Sequence, residues 1–258
     1  MSKFAILGAT GATGQQIVRC LLQSPDNSLH LYVRSRSKLL KIFPGIQDND
    51  SVHIFEGSMN DIELVASCIA STKAVFSVLA SNDNTPGMTI ARDSAATILS
   101  AFRAINEKDR SAKLPRVVVL SSASVNAVMY QNEPWYIHFI VYRAFWHVYK
   151  DLENAERLYA EASADGTLAL DVRFIHPGAL IVGDRSGKVN LSKDKNSAIV
   201  TYGDLALGMV QAGENSNLEA NNLGITVAGN QLSMPPGLPL IVLQGLLWTY
   251  LPWLHQIF

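Results

Sequence analysis

The 258-residue chain predicts an α/β fold, a doubly wound parallel sheet with a small C-terminal substrate region. Three observations carry that reading. Short apolar runs alternate with helical patterns along most of the chain. The runs are rich enough in Val, Ile, Leu and Phe to be buried on both sheet faces. The first run ends in a glycine-spaced loop, Gly8-Ala9-Thr10-Gly11-Ala12-Thr13-Gly14, that opens a helix. Strands are expected at 4–7, 29–33, 52–55, 74–79, 116–120 and 169–175, and helices at 14–23, 61–70, 89–106 and 135–164.

After the first strand the backbone must turn sharply, approach a pyrophosphate with no Cβ in the way, and present free helix N–H groups to phosphate. Gly8, Gly11 and Gly14 suit those tasks, with Thr10, Ala12 and Thr13 between them. The loop is therefore a candidate dinucleotide cradle, and the sheet is expected to be Rossmann-like. Sequences that prefer NAD often carry an acid about 20 positions beyond this loop, bonding the ribose hydroxyls. Here the second strand ends in Val33-Arg34, followed by Ser35, Arg36, Ser37 and Lys38. A guanidinium grips a 2′-phosphate bidentately, so Arg34 points to NADP (NADPH), while Arg36 and Lys38 read equally well as a solvated face.

Beyond the third strand, Ser58 is a candidate neighbour of adenine, and Asp61 reads as the cap of the next helix. The fourth strand leads to Ala80 and Ser81, small residues that leave room for a ribose or nicotinamide at the carboxyl edge of the sheet. The fifth runs into Ser121-Ser122-Ala123-Ser124, hydroxyls placed to bond a cofactor or substrate oxygen. The sixth ends in His176-Pro177-Gly178. Pro177 is expected beside the cofactor, and His176 is either a nicotinamide or substrate contact or a backbone-bonding turn residue.

The helix expected at 135–164 holds the remaining acid–base candidates. Tyr142 and Tyr149 offer phenols, His138 and His147 titrate near neutrality, and Lys150 is able to anchor a ribose. Seven residues separate the two tyrosines, so they are expected on one helix face; Tyr149 and Lys150 are adjacent and point apart. Trp135, Tyr136, Phe139, Tyr142, Phe145 and Trp146 read first as a core stripe, with Tyr142 and a neighbouring ring also able to wall a pocket for a flat substrate.

Residues 1–178 are expected to form the nucleotide-binding core, with 179–258 a substrate-shaping region integrated into the same domain. Within it, 183–196 reads as an exposed loop, Asp204 as a cap for a helix over 205–210, and 223–228 as a strand. The uncharged run 238–254 reads as a buried helix or pocket wall. Weak interfacial membrane contact is its second reading, since a span needs about 20 apolar residues.

Charged residues make up 17% of the chain and the net charge is -1, so no electrostatic pull toward nucleic acid is expected. Cys20 and Cys68 fall in helical apolar patterns and read as buried thiols rather than metal ligands, in keeping with a cytoplasmic protein. No metal site is expected. A homodimer is compatible with the pattern.

As a set, Gly8-x-x-Gly11-x-x-Gly14, Val33-Arg34, Leu120-Ser121-Ser122 and Phe174-Ile175-His176-Pro177-Gly178 resemble an atypical short-chain dehydrogenase of the NmrA-like type, over residues 3–210. The resemblance implies a serine after the fifth strand and a Tyr-x-x-x-Lys pair on the next helix, the ammonium lowering the phenol pKa. Ser122 matches that serine best and Ser124 second. The pair is missing: Tyr136, Tyr142 and Tyr149 are followed four places on by Ile140, Trp146 and Glu153. The stretch Tyr149-Lys150-Asp151-Leu152-Glu153-Asn154-Ala155-Glu156, the serine turn and the apolar tail more narrowly resemble the averufin oxidase A family of fungal polyketide pathways. That likeness implies an NADP-dependent tailoring oxidoreductase of secondary metabolism acting on an aromatic polyketide. The missing pair leaves open a non-redox isomerase, cyclase or dehydratase, and a non-catalytic redox sensor.

Overall fold

The computed structural model describes residues 2–81, 83–218, 220–229, 232–234 and 236–256. β1 (Ser2–Leu7) leads to α1 (Ala12–Leu21), β2 (Asn27–Val33) to α2 (Arg36–Ile42), β3 (Val52–Glu56) to α3 (Ile62–Ile69) and β4 (Ala74–Ser77) to α4 (Ile90–Lys108). β5 (Arg116–Leu120) continues through the serine turn and α5 (Ala127–Tyr130) to α6 (Trp135–Ala144) and α7 (Trp146–Ala164). After β6 (Val172–His176) come β7 (Ala179–Ile181), β8 (Lys188–Ser192), β9 (Ile199–Thr201), α8 (Tyr202–Glu214), β10 (Asn222–Ala228) and α9 (Leu238–Tyr250).

The period-2 pleat sorts β1 onto two cores. Phe4 and Ile6 join Ile17 and Val18 of α1 and Leu205 and Met209 of α8 on one face. Ala5 and Leu7 join Val65 of α3, Ile98 of α4 and Leu152 of α7 on the other. The strand order is β3-β2-β1-β4-β5-β6-β10-β8, parallel except for β8, which runs antiparallel to β10; β7 and β9 pair separately. This is the doubly wound, Rossmann-like arrangement expected, with the order reversing between β1 and β4. Register sets Leu7 beside Ser77, Ser77 beside Val119, and Leu120 beside Ile175. All four connections after these strands therefore open on one edge.

The sheet does not stop at residue 178. β10 pairs parallel with β6, and β8 supplies the last strand from within the 183–196 stretch expected to be loop. Its sequence Lys-Val-Asn-Leu-Ser buries Val189 alone, the mark of an edge strand rather than a central one. The helix over 205–210 is longer than expected. Its N-cap is Thr201, with Asp204 as the reciprocal partner in a capping box. A further helix, α2, follows β2 and was not among the helices expected; it is started by Ser35, whose hydroxyl accepts from the Lys38 amide.

The long helix predicted at 135–164 is two. Phe145 leaves the helical region at φ -115°, ψ 28°, and the chain turns between α6 and α7. Asp151 on α7 is buried and takes the amides of Ala91 and Arg92 at 2.8 and 3.0 Å, capping α4 from outside. The aromatic stripe of α6 is not core: Trp135, Tyr136 and Phe139 are exposed. Nor is α9 buried as expected. Only its Gly245 is fully covered, where an added Cβ would strike the Ala144 carbonyl and lie 2.9 Å from its carbon. That absence of a side chain lets α9 cross α6 at backbone contact.

Candidate active site

The loop after β1 is shaped by its glycines. Gly8 has φ +103°, a conformation L residues rarely adopt, and its open side faces Val78 and Leu79 after β4. At Gly14 a Cβ would collide with the Gly8 carbonyl and lie 2.9 Å from Ala9 Cα. The loop is closed by the Gly11 amide donating to the Gly8 carbonyl at 3.0 Å, and Gln15 Nε2 holds the Thr10 carbonyl at 3.1 Å. α1 starts at Gly11 with no side-chain cap and no acid in its first turn, and Gly11 and Ala12 are exposed while Thr13 is buried. This cradle, which a Cβ would fill, fits a dinucleotide pyrophosphate.

Arg34 stands exposed where β2 ends. The acid nearest to it in register is Glu56, paired with Val33 across β2 and β3; its carboxylate accepts the Arg36 amide at 2.9 Å. Ser58 is exposed, its carbonyl taken by the Tyr32 hydroxyl at 2.7 Å and its own hydroxyl accepting from the Asn60 amide at 3.3 Å. Asp61 caps α3 by accepting from the Leu64 amide. Ala80 lies exposed beyond β4.

The serine turn gathers most of the remaining candidates. The Tyr149 hydroxyl faces the hydroxyls of Ser122 and Ser124. Burial pushes this phenol above its ordinary range, against the pull of the two serines. Tyr149 is thus protonated at neutral pH. The Tyr142 ring lies 5.5 Å from it, across the α6–α7 break, so the two tyrosines meet although they do not share a helix. His138 Nε2 donates to the Ser124 carbonyl at 3.0 Å and the imidazole stacks on Tyr130 at 3.7 Å.

Lys150 turns away from Tyr149. Its ammonium donates to Glu153 Oε2 at 2.7 Å and lies 4.9 Å above the Trp146 ring. Glu153 also accepts a hydrogen bond from the Tyr142 hydroxyl. Burial first, and then this bond, raise the Tyr142 pKa. The position four residues after Tyr149 therefore holds a carboxylate tied to a second phenol and to Lys150.

Three expected contacts sit deeper than anticipated. Ser121 is buried and donates its hydroxyl proton to Glu156. His176 is wholly buried: Nδ1 donates to the Ser122 carbonyl at 3.1 Å and Nε2 sits 2.9 Å from Asn222 Oδ1. It occupies the turn-bonding position of its two readings, propping the serine turn from behind, because β10 closes over it. Pro177 is buried too, with its carbonyl accepting from the Ala123 amide at 2.9 Å. Glu156 Oε1 lies 3.8 Å from His176 Nδ1, and burial raises its pKa against the opposing pull of that imidazole. Sequence reasoning missed Glu153, Glu156 and Asn222. Helical spacing from Tyr149 was the signal available for the first two; nothing local marks the third. Among the described residues no His, Cys, Asp and Glu cluster could hold a metal.

A family described as NAD(P)H-binding matches residues 8–215. The chain is 36% identical to Oxidoreductase nsrR of Aspergillus novofumigatus, over 98% of this chain and 94% of the relative. It is 37% identical to Oxidoreductase ordB of Dothistroma septosporum, over 99% and 94%, and 36% identical to Oxidoreductase aflX of Aspergillus parasiticus, over 100% and 96%. In fold it is similar to a short-chain dehydrogenase/reductase from Veillonella parvula in complex with NADP, at TM-score 0.63 and 18% identity, over 91% of this chain and 99% of that one.

Proposed function

We propose, from the premise that the chain belongs to the NAD(P)H-binding family, that it is an NADP-dependent oxidoreductase tailoring an aromatic polyketide in fungal secondary metabolism. The observation that carries the reading is the Tyr149 hydroxyl set against Ser122 and Ser124 at the carboxyl edge of β5. Relatives of full length that bear the name oxidoreductase support the redox class.

We assign the pyrophosphate to Gly8, Thr10, Gly11, Ala12, Thr13 and Gly14, and the 2′-phosphate to Arg34, whose exposed guanidinium favours NADPH over NADH. Ser58 and Ala80 flank the adenosine and nicotinamide ends. Residues 179–258 shape the substrate side. When bound, NADPH supplies a hydride to a substrate carbon. Tyr149 then donates its phenol proton to the oxygen on that carbon, while Ser122 and Ser124 hold the oxygen in place. With Glu153 where a lysine would lower the phenol pKa, Tyr149 stands in its protonated form, the form that a reduction needs at the start of the step. His176 and Glu156 act as positioning residues behind the serines. The free thiols Cys20 and Cys68 suit a reducing cytoplasm.

The test is turnover of hydroxyanthraquinones and xanthones by purified protein with NADPH. Tyr149→Phe is expected to lower kcat by about 10²–10⁴-fold with nucleotide binding unchanged. Full activity in that variant would remove Tyr149 from the mechanism. The missing lysine favours one alternative, a non-redox isomerisation, cyclisation or dehydration in the same site; product formed without NADPH would select it.

A further inference from the structure

We infer that α6 and α9 together form a membrane-docking face that lies on a bilayer surface without crossing it. Among the described residues, 17 large apolar side chains are exposed, and 12 of them lie on α6, α9 and the turn that follows α9. Trp135 is 78% exposed and Leu240 70%. A patch of this kind marks a surface that something covers.

The chemistry of the face selects a lipid surface. α9 is apolar around its whole circumference; its polar side chains are Gln244 and Thr249, and the Thr249 hydroxyl is taken by Asn84. Residues 134–147 and 236–256 contain one charged residue, Arg143, and no acid. Anionic headgroups complement such a face, whereas a two-fold copy would bring a second Arg143 to the patch with no carboxylate to meet either. Trp135 and Tyr136 begin α6, and Tyr250 and Trp253 follow at the far end of α9, the amphipathic rings favoured at headgroup depth. α9 has 13 residues, and no described helix is long and apolar enough to cross a membrane. An apolar helix of that length rests at the interface rather than spanning the hydrocarbon.

The same helix faces inward to the catalytic residues: His138 and Tyr142 of α6 reach the Ser124 carbonyl and the Tyr149 ring. Resting on the substrate class proposed above, the docked face gives a flat apolar substrate a route from the bilayer to the serine turn.

The experiment is co-sedimentation of the full chain with phosphatidylcholine vesicles, with and without phosphatidylserine, in the absence of substrate. The wild type is expected to bind, more tightly with phosphatidylserine. Trp135→Glu and Leu243→Glu are each expected to weaken partitioning at least tenfold, while Val182→Glu, on an exposed residue elsewhere, leaves it unchanged. An NADPH-induced thermal shift equal to wild type shows that each variant is folded. Wild-type protein that ignores both vesicle types overturns the inference, whether it is monomeric or forms a dimer that these variants dissociate. Because vesicle binding is read without turnover, loss of activity in Tyr149→Phe with partitioning intact bears on the reaction alone.

Discussion

Glu156 shows how a side chain can serve the site at a cost to the fold. Its carboxyl accepts from Ser121 and faces His176, yet burial raises its pKa, so the folded state holds the proton more tightly than the unfolded chain does. Stability from this group is fully present below the ordinary carboxylate pKa and is lost as pH rises through the raised value. Glu156→Gln keeps an acceptor for Ser121 and cannot ionise. Its melting temperature is expected to match wild type near pH 4 and to exceed it by about 2–4 °C near pH 8, for each kcal/mol of buried charge removed. A scanning-fluorimetry series across that range checks this; a wild type more stable at pH 8 would mean that attraction to His176 outweighs burial. Tyr149 and Ser122 were legible in the sequence because strand ends and helical spacing place them. Glu156 was marked only by its helical spacing from Tyr149, and Asn222 by nothing local, because its role depends on the contact between β6 and β10.

At the scale of elements, Asn84 joins three parts of the chain. Buried in the loop after β4, it donates to the Gly245 carbonyl and Thr249 hydroxyl of α9 at 3.3 and 3.1 Å, and accepts the His147 and Val148 amides of α7 at 2.9 and 3.4 Å. Asn84→Ala is expected to cost about 1–3 kcal/mol, because α9 then loses a donor while buried amides lose their acceptor. Hydrogen exchange should report it as at least tenfold faster exchange in α9 with the sheet unchanged. Uniform acceleration would mean that α9 is not a separately stabilised unit. The helix pattern at 135–164 was readable as helix, but the Phe145 break was not, since neither proline nor glycine marks it. The exposed faces of α6 and α9 misled the expectation of a core for a related reason: apolar periodicity reports a buried face only when another element is present to bury it.

For the whole molecule, ligand and fold are linked by mass action. NADPH at about 100 times its Kd is expected to add about 2.7 kcal/mol. The matching rise in melting temperature should exceed that given by NADH, and Arg34→Ala should narrow the difference. Equal shifts with both nucleotides would remove Arg34 from cofactor choice. The parallel sheet was legible through β6 because its strands are continuous apolar runs bounded by loop residues. β8 was not, since an antiparallel edge strand with a single buried valine looks like a polar loop. That late strand and β10 have a consequence during synthesis. β6 is made well before its neighbour β10, so a nascent chain leaving the ribosome carries an unpaired β6 edge until residue 228 has emerged. Over that interval the open edge is a template on which a strand of another chain can add.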